Sequence, residues 1–150
     1  MLRMERIAPG GDLSAAFKVR TNVFVDEQGF SAELEIDDID PISNHIVFFE
    51  DNEPIATART FPDKKNPGYY VIGRVSICKS HRGTGLGLNL MAAIEELAAE
   101  LGATGFTLGA QLRARPFYEK CGYSGYGEHY YEEYCEHVHM KKRSGKEFAI

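Results

Sequence analysis

The chain has 150 residues and a mass of 16.8 kDa, which is the size of one domain. Hydrophobic residues make up 43% of it, enough to build a buried core, so an intrinsically disordered chain is excluded. The 17 Lys and Arg residues against 22 Asp and Glu residues give a net charge of −5, which argues against nucleic acid as a partner.

The cysteines and the apolar runs predict where the protein works. Cys78, Cys121 and Cys135 are an odd number without a repeated spacing, which favours a reducing compartment over a disulfide framework. No apolar run approaches the roughly 18 residues that span a bilayer, and the first residues lack the apolar stretch of a signal peptide. We therefore expect a cytoplasmic protein with no membrane partner.

Hydrophobic periods of strand and helix type alternate along the chain and predict an α/β (α+β) fold. The first strand ends before Gly10, and Asp12 is placed to cap a helix that fades near Gly29. A central strand holds Gly73, which suggests a bulge or a close approach of another backbone. The predicted strands are Met4–Ala8, His45–Glu50, Ile55–Phe61, Tyr69–Ile77, Thr104–Ala110, Tyr123–Tyr131 and Cys135–Lys142, and the two later helices are Leu86–Leu101 and Arg113–Lys120.

An acidic stretch runs from Asp26 to Asp40, and no Lys or Arg lies between Thr21 and Asp40. Its acidic residues are Asp26, Glu27, Glu33, Glu35, Asp37, Asp38 and Asp40. A solvated loop and a wall that attracts a cationic ligand both fit this pattern. Arg59 and Arg74 lie in segments too apolar to leave a charge unpaired, so each is predicted to have an anionic partner. The acidic stretch offers internal partners, and a carboxylate or phosphate on the substrate is the alternative.

A glycine-rich loop, RGTGLG at Arg82–Gly87, lies between the buried strand and an amphipathic helix. Its backbone N–H groups and the positive end of the helix dipole suit a phosphate or pyrophosphate. A dinucleotide-binding fingerprint would need glycine at the position of Leu88, and no Lys followed by Ser or Thr completes a P-loop. A turn that only starts the helix is the alternative.

The same loop matches the Q/R-x-x-G-x-G/A signature of the GCN5-related N-acetyltransferases (GNAT). Within that superfamily the chain resembles the small bacterial, single-domain, ElaA/YjcF-like type through the segments VFVDEQG, IGRVSI, AQ, PFYEKCGY and EHVHMKK, which occur in the same order. The resemblance covers nearly the whole chain. It implies a GNAT fold, with a mixed, mostly antiparallel central sheet of about seven strands, splayed between strands 4 and 5 and flanked by about four helices.

The resemblance also implies direct sequential transfer of an acetyl group from acetyl-CoA to a primary amine. The CoA pyrophosphate would bind the backbone of the glycine loop, and pantetheine would lie between the splayed strands and pair with Val75 and Ile77. A free N–H group there would polarise the thioester carbonyl. The implied CoA-binding residues are Val75, Ser76, Ile77, Arg82, Gly83, Thr84, Gly85, Leu86, Gly87, Gln111, Phe117 and Tyr118.

Two proton transfers need an acid and a base. The resemblance implies that Tyr118 protonates the departing thiolate, with packing of an aromatic side chain as the alternative. His137 is the first candidate base because its ordinary pKa lies near neutrality, although a surface polar role also fits. His45, Glu27 and Glu35 are alternative bases. The candidate acceptor-binding residues are Glu27, Glu35, His45 and Arg74.

Other interpretations remain open at this point. Cys135, His137 and His139 are of zinc-ligating types, but evenly spaced side chains on one strand diverge, so no metal is expected. Cys121 is expected to pack, without forming an acetyl-cysteine. A non-catalytic acyl-CoA-binding or sensor module would keep the glycine loop and lose the acid and base. The sequence does not decide between a small-molecule and a peptide amine as acceptor, and exposed strand edges permit a homodimer.

Overall fold

The computed structural model describes residues 1–145 of the chain. Within this range the strands and α-helices follow one another in the predicted order, β-α, three strands, then α-β-α-β-β, with one extra short helix. The strands are β1 Leu2–Ile7, β2 Asn44–Glu50, β3 Glu53–Pro62, β4 Tyr69–Ile77, β5 Gly105–Gln111, β6 Ser124–Glu132 and β7 Cys135–Arg143, and the helices are α1 Ser14–Arg20, α2 Ala32–Glu35, α3 Leu86–Glu100 and α4 Arg115–Lys120.

The seven strands form a mixed sheet in the order β1-β2-β3-β4-β5-β7-β6. The pairs β1–β2, β2–β3, β5–β7 and β6–β7 are antiparallel, whereas β4 and β5 run parallel. The β4–β5 ladder covers only Tyr69–Val71 and Gly105–Thr107, and the later residues of β4 have no register partner in β5. The predicted GNAT-type sheet is confirmed.

The chain divides into two compact units. The first contains Met1–Phe61 and Arg74–Ile94, and the second contains Pro62–Gly73 and the described residues 95–145. Strand β4 and helix α3 each contribute residues to both units. A single domain stays a prediction from length. None of the helices in residues 1–145 combines the length and apolarity needed to cross a membrane.

The core of the first unit forms where α1 packs on β2. Ala16 and Val47 are fully buried there, beside Phe49. The predicted cap at Asp12 is wrong, because Leu13 occupies the N-cap position and makes no side-chain capping hydrogen bond. Asp12 lies one residue earlier, and its Oδ1 accepts a hydrogen bond from the Ser14 amide at 2.9 Å. Helix α1 continues as a π-helix over Thr21–Glu27. A π-helix has i→i+5 hydrogen bonds, so its turns are wider than those of an α-helix.

Strand β4 has an irregular backbone conformation one residue after Gly73. Gly73 was the predicted site of a bulge, but Arg74 has the left-handed backbone, with φ of 52°. A residue with a Cβ in this region costs on the order of 1 kcal/mol, which the contacts of the side chain must offset. The left-handed backbone at Arg74 therefore gives its side chain a direction that it would not have in a regular strand.

The core of the second unit lies on β5 and β7, where Phe106, Leu108, Val138 and Met140 are buried. Helix α4 begins two residues later than predicted because residues 112–114 form a 3₁₀ turn. Pro116 sits in the first turn of α4, as predicted, where its missing N–H group costs no hydrogen bond.

Candidate active site

The glycine loop keeps an open backbone directly before α3. Gly83 and Gly85 have φ of 78° and 84°, and a Cβ built on either would meet no heavy atom within 4 Å. The glycines are thus required by backbone conformation and leave free space around the loop. In the described chain the amides of residues 83–87 have no hydrogen-bond acceptor. Successive amides of this kind at a helix start form a binding surface for an anion.

Arg82 is paired before any ligand arrives. Its Nη1 and Nη2 atoms donate to the two carboxylate oxygens of Glu27 at 2.5 and 2.6 Å. Its Nε donates to the Ile77 carbonyl at 2.9 Å. The hydrogen bond with Glu27 raises the pKa of Arg82 above its ordinary value, so the guanidinium charge is permanent. Glu27 neutralises the positive charge that the sequence placed at the loop.

A buried ionic cluster occupies the interior of the first unit, and Arg20 lies at its centre with 1% of its surface exposed. Arg20 Nε donates to Glu35 Oε2, and Nη1 donates to Asp40 Oδ1, both at 2.6 Å. The cluster has three arginines and three carboxylates, so its formal charges balance. Its members are Arg20, Glu35, Asp37, Asp40, Arg59 and Arg74.

Arg59 and Arg74 complete the cluster from β3 and β4. Arg59 Nη1 donates to Asp37 at 2.7 Å and to Asp40 at 2.8 Å. Arg74 Nε lies 3.2 Å from Glu35 Oε2, and Nη2 lies 3.3 Å from Asp37 Oδ2. The prediction that both arginines have anionic partners is confirmed, and the acidic stretch supplies them.

Burial and pairing shift the pKa values of the cluster in opposite directions. Burial raises the pKa of Asp40, but hydrogen bonds from Arg20, the Asp37 amide and Arg59 outweigh it and hold the value well below its ordinary range. For Glu35 burial prevails over the attraction of the arginines and raises the pKa. His45 donates from Nε2 to the Asp40 carbonyl at 3.0 Å, and burial lowers its pKa.

The solvated-loop interpretation of the acidic stretch is therefore wrong for two of its residues. Glu35 and Asp40 are only 7% and 2% exposed. Asp26, Glu33 and Asp38 do face solvent. The stretch is thus divided into an inward set that holds arginines and an outward set that water covers.

Tyr118 is buried in the second unit among aromatic rings. Its ring makes edge contacts with Phe117 and Tyr123, at centroid distances of 5.1 and 6.2 Å. Its hydroxyl has no hydrogen-bond partner among the described residues, whereas the Tyr123 hydroxyl donates to Glu95 at 2.8 Å. Burial raises the pKa of Tyr118, with a smaller contribution from Cys121, so the hydroxyl keeps its proton and is available as a donor.

His137 is held in one tautomer on β7. Its Nδ1 lies 3.0 Å from the Cys135 carbonyl, which only accepts, so Nδ1 carries the proton and neutral Nε2 presents a lone pair. Nε2 lies 3.8 Å from Glu132 Oε2. With 5% of its surface exposed, His137 is not the surface polar residue that strand alternation allowed.

Comparison with known proteins identifies the family. The family model "Acetyltransferase (GNAT) domain" matches residues 15–144. The chain belongs to the GNAT acetyltransferase family. YjcF of Bacillus subtilis, named an uncharacterized N-acetyltransferase, is 44% identical over 111 residues, which cover 74% of this chain and 77% of that protein.

Two solved structures resemble this GNAT protein over nearly its whole length. The crystal structure of ElaA from Escherichia coli superimposes on this chain with a TM-score of 0.84 and 27% sequence identity, and the match covers 95% of this chain and 100% of that chain. An acyl-CoA N-acyltransferase from Pseudomonas aeruginosa has a TM-score of 0.84 and 27% identity, covering 95% and 99%. By sequence, ElaA is 30% identical over 132 residues, 87% of this chain and 86% of that protein. The predicted ElaA/YjcF-like type is confirmed.

The structure of this GNAT protein brings together some of the predicted site residues. Glu27 meets Arg82, Glu35 meets Arg74, and Phe117 packs against Tyr118. Val75 and Ile77 are partly exposed on β4, whereas Ser76 is buried and donates to the Arg74 carbonyl at 3.2 Å. Gln111 accepts from Arg113 Nε at 3.0 Å. No hydrogen bond joins Tyr118 to His137 within residues 1–145.

The candidate zinc ligands do not converge. Among residues 1–145 no group of three or more His, Cys, Asp or Glu side chains is arranged to hold a metal ion. The ring of His139 stacks between Tyr130 and Tyr126, at centroid distances of 4.3 and 5.6 Å. The thiol of Cys135 points to the Glu136 carbonyl at 3.8 Å. The side chains of Cys135, His137 and His139 thus contact neighbouring residues of β6 and β7.

Sequence reasoning missed Arg20, the most buried charge of the acetyltransferase. A signal for it was present, because Arg20 follows Ala16 by four residues and so lies on the apolar stripe of α1. A lone cation on such a stripe requires a buried anion. The two carboxylates that meet it, Glu35 and Asp40, lie in a four-residue helix and a 3₁₀ turn, which are too short to show a period.

Proposed function

We propose that this acetyltransferase moves an acetyl group from acetyl-CoA to a primary amine by direct sequential transfer. The observation that carries the proposal is the run of amides at residues 83–87, which have no acceptor in the described chain and lie at the start of a 15-residue helix. A pyrophosphate satisfies such amides and is stabilised by the helix dipole. The family resemblance names CoA as the compound that carries it.

The donor would extend from the loop along β4. The implied partners of pantetheine are the backbone groups of Val75 and Ile77, which follow the end of the β4–β5 ladder. A ladder that ends leaves N–H groups without a strand partner, and one such group placed at the thioester would stabilise the oxyanion of the transition state. The acetyl group is proposed because it is the usual acyl group of the family.

The chemistry needs no nucleophile from the enzyme. The amine nitrogen attacks the thioester carbonyl carbon, the C–S bond breaks, one amine proton leaves to a base and the thiolate takes a proton. His137 Nε2 presents the lone pair that such a base requires, and Tyr118 retains the proton that such an acid requires. Burial raises the pKa of the Cys121 thiol, which disfavours the thiolate needed for an acetyl-cysteine.

The acceptor is proposed to be a small-molecule or peptide amine. The net charge of −5 and the exposed carboxylates Asp26, Glu33 and Asp38 attract cations, and a primary amine is mostly ammonium at neutral pH. An acidic exterior therefore raises the local concentration of this substrate class without selecting one member of it.

Calorimetric titration with acetyl-CoA, followed by thiol release against amines, amino acids and lysine peptides, tests the proposal. We expect binding, and release with one class of acceptor. Tyr118→Phe should lower turnover by about 100-fold or more and leave CoA affinity nearly unchanged. The matched control, Tyr134→Phe, alters an exposed hydroxyl and should keep wild-type turnover.

Two results would contradict the proposal in different ways. Binding of acetyl-CoA without thiol release from any acceptor would favour a non-catalytic acyl-CoA-binding module. No binding at all would mean that residues 82–87 only start a helix. Full turnover of Tyr118→Phe would remove Tyr118 from the acid role while leaving the reaction in place.

A further inference from the structure

Glu27 binds the guanidinium of Arg82, which is the positive group that the glycine loop would otherwise offer to an anion. Both carboxylate oxygens of Glu27 accept from Arg82, and the third guanidinium nitrogen is fixed to the Ile77 carbonyl. Every nitrogen of the guanidinium therefore has a partner within the protein. The loop amides at residues 83–87 have no acceptor in the described chain. The anion-binding surface therefore consists of unpaired amides and an arginine that is already paired.

The Glu27–Arg82 pair lies at the surface, where a ligand can compete for it. The two side chains are 31% and 38% exposed. Exposed pairs of this kind contribute about 1 kcal/mol or less to stability, so breaking one costs little. A guanidinium binds a phosphate with the same two-pronged geometry that it uses for a carboxylate. A pyrophosphate on the loop and the carboxylate of Glu27 thus compete for the same two nitrogens, Nη1 and Nη2, of Arg82.

We propose that Glu27 sets the affinity of the loop for the CoA pyrophosphate by withholding Arg82 from it. This inference rests on the proposed function, since CoA is the anion concerned. Glu27 weakens binding through Arg82: it occupies the N–H groups that would hold the pyrophosphate and neutralises the charge that would attract it. A moderate affinity allows the product CoA to leave after each transfer.

The position of Glu27 links this effect to the acidic stretch. Glu27 is the last residue of the π-helix Thr21–Glu27, and the acidic residues begin beside it at Asp26. A base role for Glu27 would require its carboxylate to leave Arg82 first, because both oxygens are engaged. The geometry therefore favours an affinity-setting role for Glu27 over a catalytic one.

Calorimetric titration of CoA into wild type, Glu27→Gln, Arg82→Gln and the double variant tests the inference at low ionic strength. We expect Glu27→Gln to bind CoA about three- to tenfold more tightly, with a steeper loss of affinity on addition of salt. In the Arg82→Gln background the same change should alter affinity by about twofold or less, because no guanidinium remains to be released.

Asp26→Asn is the matched control. It removes the same charge from the adjacent, exposed residue, which forms no ion pair in the described part of the chain. We expect wild-type affinity from it. An equal gain in Asp26→Asn, a persistent gain in the Arg82→Gln background, or weaker binding by Glu27→Gln would each overturn the inference, the last by showing that Glu27 positions Arg82 for the ligand.

The same titrations separate this inference from the proposed function. A wild type that does not bind CoA contradicts the proposed function. If Glu27→Gln then binds CoA, the inference stands, because releasing Arg82 has created the affinity. If neither protein binds CoA, both the proposed function and the inference fall.

Discussion

The hydroxyl oxygen of Tyr130 lies directly over Gly109, so that a Cβ built on Gly109 would clash with it. Tyr130 belongs to β6, and its ring crosses β7 beside the rings of His137 and His139, at centroid distances of 5.4 and 4.3 Å, to reach β5. The space above Gly109 is therefore filled by a side chain from two strands away. This contact explains a glycine in the middle of an otherwise apolar strand.

Gly109→Ala is expected to destabilise the protein by about 1 to 3 kcal/mol, because the new methyl group displaces the ring of Tyr130. Adding Tyr130→Phe should restore most of the loss, since the ring carbon that bore the hydroxyl is 3.3 Å from the Cβ position. Urea unfolding measures both. Gly125→Ala is the control, because its Cβ meets mainly the mobile end of Arg115. Equal losses at positions 109 and 125 would contradict the account.

Arg20→Met is expected to lower the free energy of unfolding by about 3 to 5 kcal/mol, because it removes one of three arginines from a buried cluster with three carboxylates and leaves an uncompensated negative charge there. The matched control is Lys18→Met, which breaks an exposed pair with Glu53 and should cost about 1 kcal/mol or less. Chemical denaturation of both variants gives the comparison. Similar losses in the two would show that the buried pairing contributes little.

His45→Gln is expected to flatten the dependence of stability on pH below about pH 6.5. Burial lowers the pKa of folded His45, so the unfolded chain binds the proton first and stability falls as the pH falls through the ordinary histidine value of 6.5. The neutral amide of Gln takes no proton and removes this contribution. Urea unfolding between pH 8 and pH 5 measures the slope. An unchanged slope in His45→Gln would mean that His45 does not titrate with folding.

Cys121→Ser is expected to retain turnover within about twofold, because direct transfer uses no enzyme nucleophile. Burial raises the pKa of this thiol, so little thiolate is present at neutral pH. Thiol release in the presence of the active amine measures the rate, and Cys78→Ser serves as the control. Lost turnover with intact CoA binding would instead indicate an acetyl-enzyme.

The elements that sequence predicted well carry their signal in neighbouring residues. The glycine loop and α3 are examples, because a helix start, a glycine turn and an apolar stripe are all local patterns. The stripe held at Leu90, Ile94 and Leu97, which are buried as expected. The element order followed from the same patterns, and the family resemblance named the sheet that the strands form.

The features that sequence missed are either very short or depend on residues far apart in the chain. Helix α2 has four residues, too few for a period to show. Tyr130 reaches Gly109 only through the registers of two ladders, and an error of one residue would reverse the face of either strand. The pairing of Glu27 with Arg82 spans 55 positions and leaves no local trace. The apolar segments around Arg59 and Arg74 predicted that these arginines have anionic partners but not which residues those are.

Asp40 gives one oxygen to two arginines, since Oδ1 accepts from both Arg20 and Arg59. No change at Asp40 can satisfy one arginine alone, and loss of either arginine leaves the others with an uneven charge. Descendants of this chain should therefore exchange these residues in matched sets or keep them all. The six residues of the cluster are expected to covary among relatives, so that substitutions at these positions occur together although the positions lie far apart in the sequence.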